Sequence, residues 1–250
     1  MRNRISPCSL VAALFALLSA GVADTADIDD GLVLHYEFEG DGDVLIDTTG
    51  NGFDGSLGTA TRTDDGLIGK GIEFTSPDHY ADAAIAEGLV ATDAFTASVW
   101  AKPIELNPDG ENRVIYKHDQ FNLDLQYGRG RLEVHSGGRW HGTDATALLP
   151  VALDKWLHMA LTYAPSVGAS MYHNGTVVAA NPDIPSLDAT NDYWRIGNLG
   201  HAAFVGIVDE LRWYHRRMSD VEVLELYQAA AAVSPRGSLT TTWGKLKSTR

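Results

Sequence analysis

Cysteine is almost absent from this chain. The single one, Cys8, lies near the start, so the protein cannot be stapled by intrachain disulfides and must hold its shape by burial. Basic residues are also scarce, with 19 Lys and Arg against 33 Asp and Glu. Such a surface repels phosphate backbones and anionic bilayers, which argues against a nucleic-acid partner. No apolar run reaches the roughly 20 residues of a membrane span. Recurrent helical periodicity is missing, and so are the Gly-x-Ser-x-Gly elbow, the His-Glu-x-x-His helix and a glycine-rich phosphate loop.

The start of the chain carries Arg2 and Arg4, an apolar run from Leu10 to Leu18, and then Ser19, Ala20, Gly21, Val22 and Ala23. That order predicts a signal peptide over residues 1–23, hence a secreted, periplasmic or cell-surface protein, with a short leader over 24–31. Without Arg2 and Arg4, 17 basic residues remain against 33 acidic ones, a net charge of −16. The remaining length suits one domain of sandwich size.

Short runs rich in β-branched and aromatic residues recur between Gly, Pro, Asn and Asp clusters, which predicts an antiparallel all-β sandwich. The strands expected are Val33–Phe38, Gly71–Phe74, Phe95–Ala101, Arg113–Lys117, Phe121–Tyr127, Arg131–His135, Trp156–Tyr163, Ser170–His173, Thr176–Ala180, Tyr193–Ile196 and Gly206–Tyr214. Gly128-Arg129-Gly130 is expected to turn one hairpin, and Asn174-Gly175 to turn another as a type I′ pair. Asn174-Gly175-Thr176 also matches a glycosylation acceptor, although the turn alone accounts for it.

One short C-terminal helix is expected. Ser219 caps it, Glu222 completes a capping box, and Val221, Leu224 and Tyr227 or Gln228 follow at helical spacing, so that the helix would close the sandwich edge. The domain is expected over 32–229. Residues 230–250, with Arg236, Lys245, Lys247 and Arg250 and no acid, read as a basic disordered tail, in which Thr242–Lys247 could alternatively serve as a sorting signal.

Several segments come in a characteristic order. They are Leu34-His35-Tyr36-Glu37-Phe38, Asp47 to Gly55, Gly69 to Phe74, Phe95 to Pro103, Trp156 to Tyr163, Tyr172 to Gly175, and Gly206 to Tyr214. Over about residues 32–229 this succession resembles the laminin-G-like, concanavalin-type jelly-roll domains of bacterial exported proteins. The resemblance implies a jelly-roll β-sandwich of two curved antiparallel sheets, with ligand sites on the concave face or rim loops. Trp100, Trp156 and Trp213 are expected to fill the space between the sheets, and His158 to be a hydrogen-bonded structural residue.

Two places could hold chemistry. Asp47 to Gly55 packs two carboxylates, an amide and three glycines into nine residues, a composition that lets oxygens converge on calcium or simply form a solvated turn. The resemblance implies a structural Ca²⁺ joining this loop to the last strand, and nominates Asp47, Asn51 and Asp209, with Glu39 or Asp54 as additions. Along Phe121–Tyr127 and Arg131–His135, Asn122, Asp124 and Gln126 share one face with Arg131, Glu133 and His135. With the nearby Arg139, Trp140 and His141, these groups resemble a sugar site if that face is concave; otherwise they form an ordinary solvated sheet surface.

The Glu-x-Asp-x-Glu strand of concanavalin-like glucanases is absent, and strict alternation would point the adjacent Asp209 and Glu210 to opposite faces. The expected function is therefore a non-catalytic recognition domain for glycan or another extracellular ligand. A structural or adhesive module with a protein partner is the alternative, and a glycan-active hydrolase a third reading.

Overall fold

The computed structural model describes residues 27–91, 93–107, 110–126, 129–143, 151–184, 186–190, 192–197 and 202–233. The signal-peptide and sorting-signal segments lie outside these residues. Residues 27–31 form a turn into the first strand, where the His215 amide donates to the Gly31 carbonyl at 3.0 Å.

Among the described residues sixteen strands follow in chain order: β1 (Leu32–Tyr36), β2 (Val44–Leu45), β3 (Gly55–Ser56), β4 (Thr61–Thr63), β5 (Gly71–Phe74), β6 (Ala81–Ala83), β7 (Phe95–Glu105), β8 (Arg113–Lys117), β9 (Phe121–Gln126), β10 (Arg129–Ser136), β11 (Arg139–Thr143), β12 (Leu157–Ala164), β13 (Gly168–His173), β14 (Thr176–Asn181), β15 (Trp194–Ile196) and β16 (Val205–Tyr214). They build two antiparallel sheets. Sheet A runs β14-β13-β12-β7-β16-β5-β4, with β1 also paired to β16, and sheet B runs β11-β10-β9-β8-β15-β6-β3-β2. This is the expected sandwich, consistent with a jelly roll.

Alternation explains how the sheets adhere. Phe95, Val99, Met159, Leu161, Met171, Leu211 and Trp213 face inward from sheet A, and Ile115, Phe121, Leu123, Leu125, Trp194 and Ile196 face them from sheet B. Rings interlock across the gap. Phe121 stacks on Trp213 at 5.3 Å and 12°, and Phe95 lies 5.2 Å from Phe121. Burying one such ring stabilises the fold by about 1.5–3 kcal/mol.

The β9–β10 register pairs Gln126 with Arg129 and Leu125 with Gly130, so Arg129 and Gly130 belong to strand β10 and not to the turn expected over Gly128-Arg129-Gly130; Tyr127 and Gly128 are the residues between the strands. Those two residues lie outside the described ones. Asn174 (φ 48°) and Gly175 (φ 75°) form the expected primed turn between β13 and β14.

The helix α1 (Asp220–Val233) starts at the expected capping box, in which the Ser219 amide donates to Glu222 Oε2 at 2.7 Å and the Glu222 amide to Ser219 Oγ at 3.3 Å. Its buried residues are Val223, Leu226 and Ala230, whereas Val221 and Leu224 are exposed, and it continues four residues past 229. It packs on Ala160, Tyr172, Tyr214 and Trp100, the outward residues of sheet A, and therefore covers a face of the sandwich instead of closing its edge. Trp100 belongs to this outer layer, and Trp156 packs beside it; of the three tryptophans expected between the sheets only Trp213 is there, joined by Trp194. His158 is structural, with Nε2 2.8 Å from Ser98 Oγ and a pKa pushed down to about 3 by burial and by the Arg212 and His173 charges. Among the described residues, no helix is long and apolar enough to cross a membrane.

Candidate functional site

Sheet B turns a polar and aromatic face away from the core. On β9, Asn122 and Asp124 alternate with Phe121, Leu123 and Leu125, which belong to the core. The register sets one row across five strands, Asp82 on β6, Arg195 on β15, Tyr116 on β8, Asn122 on β9 and Glu133 on β10. Beside it His135 pairs with Trp140, and Arg131 with Asp124 and Arg113 with Asp124. His141 sits opposite the core residue Val134, so the pleat turns His141 away from Trp140.

The row has a floor and an upper layer. Asn122 and Asp124 are fully buried and Glu133 is 6 % exposed, which makes them floor instead of open contacts. Asn122 Nδ2 donates to Glu133 Oε2 at 2.9 Å, Arg131 clamps Glu133, and Glu111 bridges Arg131 at 3.5 Å and Arg113 at 2.5 Å. Asp124 accepts from the Asn112 amide at 2.7 Å, while burial pushes its carboxyl up to about 7. The second Asp124 oxygen and the Asn122 amide oxygen are buried without a partner. Gln126 lies in β9, but its side chain is outside the described ones.

Above the floor, rings form a chain. Trp140 is 6.2 Å from Tyr116 and 4.9 Å from His135; Tyr116 is 5.8 Å from Tyr193, which lies 4.8 Å from His118. Arg113 sits over Tyr116 at 4.6 Å, and Arg195 between Tyr80 and Tyr193 at 4.9 and 4.7 Å. Burial, with Tyr193 next to it, pushes the Tyr116 hydroxyl up to about 12, so it stays protonated and can donate. His135 Nδ1 stands 2.8 Å from Asp188 at ion-pair distance but off the hydrogen-bonding direction. Asp188 is in turn held by the Gly137 and Gly138 amides at 3.0 and 2.9 Å.

Of the sequence-predicted residues, the fold brings Asn122, Asp124, Glu133, His135 and Trp140 onto one face. Sequence reasoning missed Tyr80, Asp82, Tyr116, His118, Tyr193 and Arg195, because they arrive from β6, β8 and β15 or the residues flanking them, segments that only the fold brings beside the β9–β10 hairpin. A signal was present in Trp194-Arg195-Ile196 and Ala81-Asp82-Ala83, where one polar residue alternates between two inward ones.

Asp47, Asn51 and Asp209 are not assembled in this way. Asp47 accepts from the amides of His35, Thr49 and Phe53 at 3.3, 3.1 and 3.2 Å and from the Thr49 hydroxyl at 2.8 Å, and Asn51 Nδ2 donates to the Val33 carbonyl at 2.8 Å. Asp209 instead accepts from Leu67 and Ile68 amides at 2.8 and 3.0 Å, and burial pushes it up to about 8. Glu39 holds the Lys70 amide, and Asp54 the Asp47 amide, both at 2.9 Å. Amide donors of the chain itself thus serve these oxygens, and Asp209 is held by the Leu67–Ile68 turn while Asp47 is held by its own loop and by His35, so this arrangement does not fit a shared calcium ion. Among the described residues no group of three or more His, Cys, Asp and Glu is placed to hold a metal.

Asp209 and Glu210 do not alternate. Glu210 adopts φ 53° at a bulge in the β16–β7 ladder, so Val208 and Leu211 both face the core and the two acids between them do not. Burial opposes ionisation of Glu210, yet His35 Nε2 at 3.1 Å and Arg212 at 2.5 Å outweigh it and lower its pKa. Both acids are buried and occupied by donors of the chain itself.

Residues 76–224, from the turn before β6 into α1, match the family model of the concanavalin A-like lectin/glucanases superfamily, in its laminin G form. The chain belongs to that family. No curated protein sequence matches the chain significantly. Solved structures share the fold. The binding domain of Paraclostridial Mosquitocidal Protein 1 aligns with TM-score 0.66 and 17 % identity over 81 % of this chain, which spans about half (53 %) of that structure. Domain 4 of AbnA, an extracellular arabinanase from Geobacillus stearothermophilus solved with arabinotriose, aligns with TM-score 0.64 and 24 % identity over 79 % of this chain and 98 % of that one. Trypanosoma rangeli sialidase aligns with TM-score 0.62 and 18 % identity over 82 % of this chain but only 34 % of the enzyme.

Proposed function

We propose that this protein is an exported, non-catalytic recognition domain that binds an oligosaccharide on the outer face of sheet B. The observation behind this reading is the chain of rings from Trp140 through Tyr116 to Tyr193, bordered by Arg195, His118 and His135 over a hydrogen-bonded polar floor. Ring faces can stack on the apolar side of a pyranose or furanose while N–H and O–H groups meet its hydroxyls. The similar arabinanase domain was solved with arabinotriose, and the similar toxin domain is described as a binding domain. Both likenesses favour binding over catalysis here.

Calorimetry with arabinotriose and a glycan array, each with and without calcium, test the proposal. Saturable binding is expected without calcium, and Trp140→Ala is expected to weaken it at least tenfold, about 1.4 kcal/mol, while the thermal midpoint stays near wild type. Binding to no saccharide, or to a protein partner only, would overturn it in favour of an adhesive module.

A further inference from the structure

Charge on the sheet B face bears on which saccharide it takes, an inference that rests on the function proposed above. Among the described residues, five cationic side chains belong to that face: Arg113, His118, Arg131, His135 and Arg195. Arg139 and His141 lie opposite Ser136 and Val134, and Lys117 opposite the core residue Trp194, so the pleat turns all three away from it.

Each of the five stands at ion-pair distance from a carboxylate. Arg195 lies 3.4 Å from Asp82, His118 3.2 and 3.6 Å from Asp192 and Asp119, His135 2.8 Å from Asp188, and Arg113 2.5 Å from Glu111. Arg131 is shared between Glu111 at 3.5 Å and Glu133. Even with both histidines protonated, five positive charges therefore meet six carboxylates besides Asp124.

Exposure decides which sign an incoming ligand encounters. At the Tyr193 end the Asp82 side chain is 39 % exposed against 26 % for Arg195, and Asp192 52 % against 31 % for His118; at the Trp140 end Asp188 is 31 % exposed against 13 % for His135. The carboxylate is the outer member at both ends. Between them, Arg113 and Arg131 are matched by Glu111 and Glu133. A carboxylated or sulfated sugar must displace one of these partners or lie beside it, and like charges brought together reject a ligand. Hydroxyls meet no such penalty, because exposed carboxylate oxygens accept from them. We propose that the sheet B face selects neutral oligosaccharides over uronate-, sialate- or sulfate-bearing ones, and that Asp82 and Asp192 enforce the choice.

The test puts the full chain on a glycan array with neutral, carboxylated and sulfated members, then measures arabinotriose and cellotriose by calorimetry at pH 7, each beside the form whose free primary hydroxyls are oxidised to carboxylates. The neutral form is expected to bind at least tenfold more tightly at about 10 mM salt, and the gap to narrow toward about 150 mM, as the screening length falls from about 30 to about 8 Å. Asp82→Asn leaves Arg195 without its partner and is expected to raise affinity for the oxidised form at least threefold relative to the neutral one, a gain that loss of folding would not produce. Asp192→Asn, at the exposed rim, is expected to shift the ratio the same way and serves alone if Asp82→Asn loses the dispersed amide spectrum. Charged glycans that bind wild type as tightly as neutral ones, with Trp140→Ala weakening both, would overturn the selectivity and leave the sheet B site standing. An unchanged ratio in the folded variants would overturn the role of the two aspartates. Binding to no glycan, or binding that Trp140→Ala leaves intact, would overturn the sheet B reading and this inference with it.

Discussion

Asp124 shows how a single residue couples the floor of the sheet B face to pH. Its carboxyl is fully buried, accepts one amide hydrogen bond and leaves one oxygen unpartnered, and burial raises its pKa from 3.8 to about 7. In that window the folded state holds a proton that the unfolded chain releases, so the contribution is complete below about pH 4 and is lost as pH rises through 7. Asp124→Asn removes this linkage and keeps the shape. Urea midpoints measured from pH 5 to 8 are expected to show the variant gaining on wild type by a few kcal/mol as pH rises, whereas parallel profiles would contradict the assigned burial. Asp209, raised to about 8, adds a loss of the same sign that both proteins share, and His158, depressed to about 3, acts oppositely by costing stability as pH falls below 6.5.

At the scale of elements, α1 rests on its cap and on its buried stripe. Glu222 satisfies the Ser219 amide and pairs with Arg216 at 2.7 Å. Glu222→Ala is expected to lower unfolding free energy by about 1 kcal/mol, measured by urea denaturation at pH 7, and an unchanged midpoint would show that packing alone holds the helix. The cap was legible in Ser219-x-x-Glu222, as were Gly71–Phe74 and Arg113–Lys117 to the residue, because alternation and capping are local patterns. The face of the helix was not. Val221 and Leu224 have the same spacing as Val223 and Leu226, and only the position of Tyr214, Met218 and Tyr172 beneath the helix decides between the two stripes. Short strands such as β2, β3 and β6 were equally hidden, since two or three residues such as Gly55-Ser56 or Ala81-Asp82-Ala83 acquire strand geometry only from neighbours far along the chain. The bulge at Glu210 defeated simple alternation for a similar reason, because nothing local to Asp209-Glu210-Leu211 announces the extra residue.

For the whole molecule, two faces of one sandwich have different fates. Sheet A turns outward a set of residues that α1 buries, and cavities remain where the helix ends meet loops. Sheet B, whose outward row was half legible through the alternation of β9 and β10, gathers its other half from β6, β8 and β15. The proposed recognition surface is therefore one that the core positions but does not consume. A crystal structure of the full chain with arabinotriose tests this account most directly. Sugar density against Trp140, Tyr116 and Tyr193 is the expected result, and a saturated complex whose sugar leaves that face empty would contradict it.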